Sequence, residues 1–159
     1  MELLAAIAAS APAQALKASF WVYPLVNAAH ILGVALLVGA IAVVDLRLLG
    51  AFRDVPAEPL AAAGVPVAAC GLALAAVTGM LLFVVKPVDY AGSQIFLAKL
   101  AVVVLGLVNV ALVRRSARWR LLAAGSPEEA DGRLRLAALA SLLLWIGALV
   151  LGRMVGYFL

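Results

Sequence analysis

The chain has 159 residues, of which 67% are apolar and 13% charged, and its mean hydropathy is +1.18. Soluble domains are about 45–50% apolar and about 25% charged, so the composition excludes an ordinary soluble globular protein. One cysteine and one histidine exclude a disulfide framework and a multi-histidine metal site within one chain. The net charge of +4 would suit nucleic acid, but the positions of the basic residues argue against it.

Four charge-poor segments are long enough to cross a bilayer, which requires roughly 20 apolar residues in a helix. The sequence predicts an all-α integral membrane four-helix bundle, a single domain over residues 1–159 with spans at about 20–49, 59–85, 94–114 and 134–158. Residues 1–17, interrupted by Pro12, are predicted to form a short interfacial helix. A capping box at Ser126, Pro127 and Glu129 predicts that the helix of the fourth span begins there.

Most basic residues lie in the two connections at one end of the spans. Eight of the twelve are found there: Arg47, Arg53, Arg114, Arg115, Arg118, Arg120, Arg133 and Arg135. Connections rich in lysine and arginine stay in the cytoplasm. We therefore expect a cytoplasmic basic loop at 114–135 and periplasmic termini, in a bacterial inner (cytoplasmic) membrane. The loop would meet the anionic lipid of the bilayer, and we expect no nucleic-acid partner.

Away from the basic ends of the predicted spans, the sequence places a histidine, a lysine and an arginine inside them: His30, Lys99 and Arg153. Such groups are costly in lipid and indicate function. At 1.5 Å per residue, His30 lies roughly 14 Å from the outer end of its span, and Lys99 and Arg153 each lie roughly 9 Å from theirs. The topology thus predicts one layer for all three in the outer half of the bilayer. Each also has a structural alternative: His30 packed with Asn27 between helices, and Lys99 and Arg153 snorkelling to the head groups.

A histidine, a lysine and an arginine around one intramembrane pocket suit a planar, amphiphilic dicarboxylate such as a porphyrin. His30 would be the axial iron ligand or a proton acceptor, with Lys99 as the second catalytic residue. Lys99 and Arg153 would meet the propionates, and Asn27 and Tyr23 would complete the binding site. Since each chain has one histidine, bis-histidine haem would require a symmetric homodimer; otherwise the iron would be five-coordinate or ligated by histidine and methionine.

Short motifs add a resemblance. The pattern WVYP at 21–24, HILG at 30–33 and DLRLLG at 45–50 resembles a family of small bacterial inner-membrane proteins of unknown function. The HILGV start at 30–34 and FLAKL at 96–100 are distantly similar to the HemJ family of four-helix membrane enzymes, which oxidise protoporphyrinogen and can bind haem. The copper-resistance D membrane domain is similar in architecture. The HemJ resemblance implies that His30 and Lys99 are its functional histidine and lysine, whereas its tryptophan after H-x-x-G is Leu37 here.

The sequence therefore favours a haem- or porphyrin-binding redox protein, an oxidoreductase of the protoporphyrinogen-oxidase-like type. Its cofactor would be haem b or a porphyrin, and its electron partner a quinone. Two alternatives stay open. One is a copper- or cation-handling membrane protein in which Met80 and Met154 join His30, although Lys99 would repel a cation. The other is a non-catalytic membrane subunit of a larger complex.

Other polar residues in the spans are expected to have structural roles. Asp45 is expected at the inner membrane interface, paired with Arg114 or Arg115. Asn109 and Thr78 are expected to form hydrogen bonds between helices.

Overall fold

The computed structural model describes residues 2–125 and 130–158. These two ranges contain helices and no strand: α1 (Glu2–Ala8), α2 (Ala11–Ala18), α3 (Val22–Leu49), α4 (Ala57–Val85), α5 (Pro87–Gly92), α6 (Gln94–Arg115), α7 (Ala117–Ala123) and α8 (Gly132–Phe158). Helices α3, α4, α6 and α8 are long and apolar enough to cross a membrane. The all-α class and the presence of four helices long and apolar enough to cross a membrane confirm these parts of the prediction.

The outward faces of these four helices are apolar, which is consistent with a multi-pass membrane protein. Large side chains such as Ile31, Val77, Leu112 and Leu143 are more than half exposed. Such helices satisfy their own backbone hydrogen bonds, so lipid can cover these side chains without leaving polar groups unpaired. Each long helix is antiparallel to the helix it packs against. The bundle therefore has a terminal end, where α3 and α6 begin and α4 and α8 end, and an opposite basic end.

Helices α3 and α4 form the closest pair of the bundle because α4 presents a stripe of small residues to α3. The buried residues of α4 recur at helical spacing: Ala61, Ala68, Gly71, Ala75 and Thr78. A Cβ atom on Gly71 would lie 2.6 Å from the backbone nitrogen of Leu37, so only glycine fits there. Small residues at an interface allow this approach of two membrane helices.

The bundle is less tightly closed on its other side. Helix α3 packs against both α4 and α8, and α8 packs against α6, whereas α4 and α6 make no extensive contact within the described residues. The interhelical space is therefore open laterally between α4 and α6. At the basic end, α7 and the buried residues Val44, Leu48, Leu122 and Leu134 close the bundle.

The N-terminal segment forms two short helices where the sequence predicted one short helix. Helix α1 ends at Ala8, where the Ser10 hydroxyl donates a hydrogen bond to the Ile7 carbonyl (2.6 Å). Pro12 lies in the first turn of α2, a position that tolerates proline, rather than interrupting a helix. These short helices pack on the terminal end of the bundle, α1 against α5 and α2 against α4.

The helix that contains the fourth span begins later than the capping box predicts. The capping box at Ser126, Pro127 and Glu129 lies outside the described residues, but residues 130–131 are not helical. The side chain of Asp131 instead accepts a hydrogen bond from the Leu134 backbone N–H (3.0 Å), which is the geometry of an N-cap. Helix α8 therefore begins at Gly132.

Candidate functional site

His30 is held in one orientation by α4. Its Nδ1 atom lies 2.9 Å from the carbonyl oxygen of Ala75 and 3.1 Å from the hydroxyl of Thr78. The Thr78 hydroxyl donates its own proton to the Leu74 carbonyl (2.6 Å). Since a carbonyl can only accept, the proton of the neutral imidazole is on Nδ1. The Nε2 atom keeps its lone pair and has no hydrogen-bond partner among residues 2–125 and 130–158.

A glycine on α4 provides the space that the imidazole occupies. A Cβ atom on Gly79 would lie 3.1 Å from Cε1 of His30, closer than almost all real contacts of this kind. A larger residue at 79 would push the ring away from Thr78 and Ala75. Gly79 therefore helps to fix the direction in which Nε2 points.

Lys99 lies on α6, half-buried, near His30. The two side chains are close enough to interact electrostatically. Its aliphatic part passes Gly152 of α8, where an added Cβ atom would lie 3.5 Å from both Cε and Nζ. In the part of the chain that the structure describes, no carboxylate lies within ion-pair distance of Lys99. A cation without a counter-ion is costly inside a membrane, so the ammonium group is available to an anionic ligand.

The other three predicted site residues have exposed side chains. Arg153 follows Gly152 directly, so it lies at the level of Lys99, but its side chain is exposed. Asn27 is also exposed, and its predicted packing with His30 stays a prediction. Tyr23 lies near Tyr90 of α5 at the terminal end.

An aromatic cluster of Phe83, Tyr90 and Phe96 closes the terminal end between α4 and α6. The rings of Phe83 and Phe96 are stacked with centroids 5.7 Å apart, and Tyr90 lies 5.2 Å from Phe96. Burial, together with the neighbouring Tyr23 and Asp89, raises the pKa of the Tyr90 phenol above its ordinary value. This cluster was not predicted from the sequence. The aromatic residues before, within and after the short connection between α4 and α6 could have indicated it.

The histidine, cysteine and acidic side chains, which can ligate metals, are dispersed over residues 2–125 and 130–158. Among the described residues there is no group of three or more histidine, cysteine or acidic side chains that could hold a metal. Met80 and Met154 are exposed, and so is Cys70.

Asp45 differs most from its predicted environment. It is only 4% exposed, and it faces Ser141 of α8 rather than pairing with Arg114 or Arg115. Its Oδ2 atom has no hydrogen-bond partner within the described residues. The predicted ion pair is therefore wrong, because the Asp45 side chain points between α3 and α8.

The hydrogen bonds expected between helices for Asn109 and Thr78 do form. Asn109 Nδ2 donates to the Ala137 carbonyl (3.0 Å), and the Thr78 hydroxyl lies within hydrogen-bond distance of His30 Nδ1.

The fold and these contacts define an α-helical multi-pass membrane protein with polar side chains inside its bundle. A family model matches residues 17–158, and the chain belongs to that family, DUF6644, a family of unknown function. This confirms the predicted membership of an uncharacterised family. No curated protein and no solved structure matches the chain.

Proposed function

We propose that this protein binds a planar amphiphilic anion of the porphyrin class, haem b included, in the terminal half of its bundle and has a redox function. In this proposal His30 is the axial ligand or proton acceptor, and Lys99 is the main contact for a propionate. The chain would lie in the bacterial inner membrane with its terminal end periplasmic, because the basic end carries the arginine-rich connections.

The observation that carries the proposal is the orientation of His30. Histidines that ligate metals usually donate their other ring N–H to a carbonyl or carboxylate, which fixes the tautomer. His30 has this arrangement through Nδ1 and Ala75, which leaves Nε2 unprotonated. The nearby Lys99 supplies positive charge with no acidic partner in the described ranges.

The donor set limits the coordination. One histidine supports a five-coordinate iron, a histidine–methionine pair, or two His30 side chains across a homodimer. Haem iron held there would supply one-electron redox chemistry, with a quinone as the electron partner. Arg153 is a second propionate contact because it lies at the level of Lys99 and is exposed. Tyr23 and Asn27 lie on the α3 segment before His30 and would border the ligand.

Absorption spectra of the detergent-purified protein, with and without added hemin, test the proposal. We expect a Soret band, and α and β bands that sharpen on reduction with dithionite. His30→Ala should abolish these bands, whereas Leu112→Val, an exposed change on α6, should keep them. Lys99→Gln should weaken hemin binding roughly 10-fold or more, since a hydrogen bond to a charged group contributes about 1.5–3 kcal/mol.

Lys17→Gln is the matched control for Lys99, because Lys17 lies on α2 and is exposed. It should bind hemin like the wild type. A protein that remains colourless after hemin addition would refute the proposal. So would a His30→Ala variant with the full haem spectrum.

A further inference from the structure

A cavity of about 150 Å³ lies nearer the basic end, between all four long helices. Most of its wall is apolar, formed by residues such as Leu37, Leu72 and Val110. An apolar cavity of about this volume is large enough to hold a six-membered carbon ring.

Three buried polar side chains line the same cavity. Asp45, Ser141 and Trp145 are 4%, 3% and 3% exposed. Asp45 Oδ2, Ser141 Oγ and Trp145 Nε1 have no hydrogen-bond partner in the described part of the chain. Ser141 and Trp145 are four residues apart on α8, hence on one face, and Asp45 lies beside Ser141. Leaving such groups unpaired in an apolar interior costs about 1–3 kcal/mol each, so they are suited to pair with a ligand.

The cavity reaches the outside of the bundle between α4 and α6. Ala69 of α4 and Leu107 of α6 both line it and are both exposed. This mouth lies where the two helices do not pack against each other. Because it opens on the side of the bundle, a ligand dissolved in the bilayer can enter without crossing water.

We propose that this cavity binds the ring of a membrane-soluble hydroquinone. The apolar wall would cover the ring, and one ring hydroxyl would meet the three unpaired polar groups. That hydroxyl accepts from Trp145 Nε1–H and Ser141 Oγ–H, and it donates its own hydrogen to Asp45 Oδ2. Any alkyl tail would leave through the mouth into lipid.

The donor and acceptor pattern favours a hydroxyl over a carbonyl. A hydroxyl both donates and accepts, so it satisfies the carboxylate and the two donors together. With Asp45 ionised, as in a titration at alkaline pH, the carbonyl of the corresponding quinone can only accept, which leaves the carboxylate unpaired. The hydroquinone should therefore bind about 10-fold more tightly than its quinone, the ratio expected from one lost hydrogen bond to a charged group. This site is separate from His30 and Lys99, and it does not require that haem be bound there.

Calorimetric titration of the detergent-solubilised protein with trimethylhydroquinone under nitrogen tests this proposal, with empty micelles as the blank. We expect saturable binding of one ligand per chain and weaker binding of trimethylbenzoquinone. Ser141→Ala should weaken hydroquinone binding about 3- to 10-fold. Asp45→Asn should weaken it and also remove the preference for the hydroquinone.

Two alanine variants on α4 separate a binding site from general partitioning into the micelle. Ala69→Leu narrows the mouth and should reduce binding at least 10-fold, whereas Ala63→Leu, also exposed but outside the cavity, should bind like wild type. Absence of saturable binding to wild type would overturn the proposal. Equal affinity for quinone and hydroquinone, or equal binding by both leucine variants, would also overturn it.

Discussion

Substitution of Gly71 by alanine tests how closely α3 and α4 approach. The added Cβ atom would lie 2.6 Å from the backbone nitrogen of Leu37 and 2.7 Å from the carbonyl oxygen of Gly33. Ordinary contacts begin at 3.4 Å, so the methyl group would be roughly 0.8 Å too close to backbone atoms that no side-chain rotation can move. The two helices must separate locally to accommodate it.

The energetic cost follows from that separation. Overpacking of this kind costs about 1–3 kcal/mol, and alanine recovers about 0.8–1.0 kcal/mol through its better helix propensity. We therefore expect Gly71→Ala to lower the free energy of unfolding by up to about 2 kcal/mol. Gly39 on α3 is the matched control, because it is exposed and an added Cβ atom meets nothing within 4 Å. Gly39→Ala should raise the free energy of unfolding by up to about 1 kcal/mol.

Both variants can be compared by denaturant titration in mixed micelles, followed by far-ultraviolet circular dichroism. The measured quantity is the difference in free energy of unfolding between Gly71→Ala and Gly39→Ala. Equal stability of the two variants would refute the close approach of α3 and α4 and, with it, the packing that orients His30 against α4.

Three further predictions concern single contacts. Asn109→Ala should lower the free energy of unfolding by about 0.6–1.5 kcal/mol, because the Ala137 carbonyl loses its interhelical donor; an unchanged midpoint would contradict this. Asp131→Ala should lower the free energy of unfolding by about 1–2 kcal/mol, because α8 loses its cap and Arg118 loses its ion pair. Asp131→Asn should keep most of the cap and lose only the ion pair. Because the pKa of Tyr90 is raised, its contribution to stability is present below about pH 10 and is lost as the pH rises through the raised value. Thermal unfolding of wild type between about pH 9 and 11 should therefore show a loss that Tyr90→Phe lacks; identical profiles would contradict the shift.

The membrane spans could be predicted from the sequence because lipid selects for one property over a long segment. The four long helices begin and end within two residues of the predicted spans. Antiparallel packing of successive spans also explains why Lys99 and Arg153 lie at one level. The Lys99 side chain lies beside Gly152, which directly precedes Arg153. Both features depend only on the length of each apolar segment and on the alternating direction of successive spans, and both can be derived from the sequence.

Which face of a span meets its neighbour could not be predicted in the same way. Helix α3 is apolar on every side, so no 3.6-residue pattern marks the face that packs against α4. The backbone contact at Gly33 and Gly71 sets that face, and it turns His30 toward Thr78 and Ala75. Glycines are common in membrane helices, and the sequence does not distinguish Gly71 from the exposed Gly39.

The rotation of α3 also explains why charge pairing failed to predict the partner of Asp45. Arg114 and Arg115 were the nearest cations by level in the membrane, but Arg114 is exposed at the basic end. Asp45 lines the same cavity as Arg114, but its side chain is buried beside Ser141 and forms no ion pair with Arg114. A long arginine side chain reaches water easily, so pairing with a buried carboxylate would cost it its hydration. In a membrane bundle, the rotation of a helix thus decides whether a carboxylate meets a surface cation or lines an internal cavity, and Asp45 lines a cavity because the small residues of α4 set the rotation of α3.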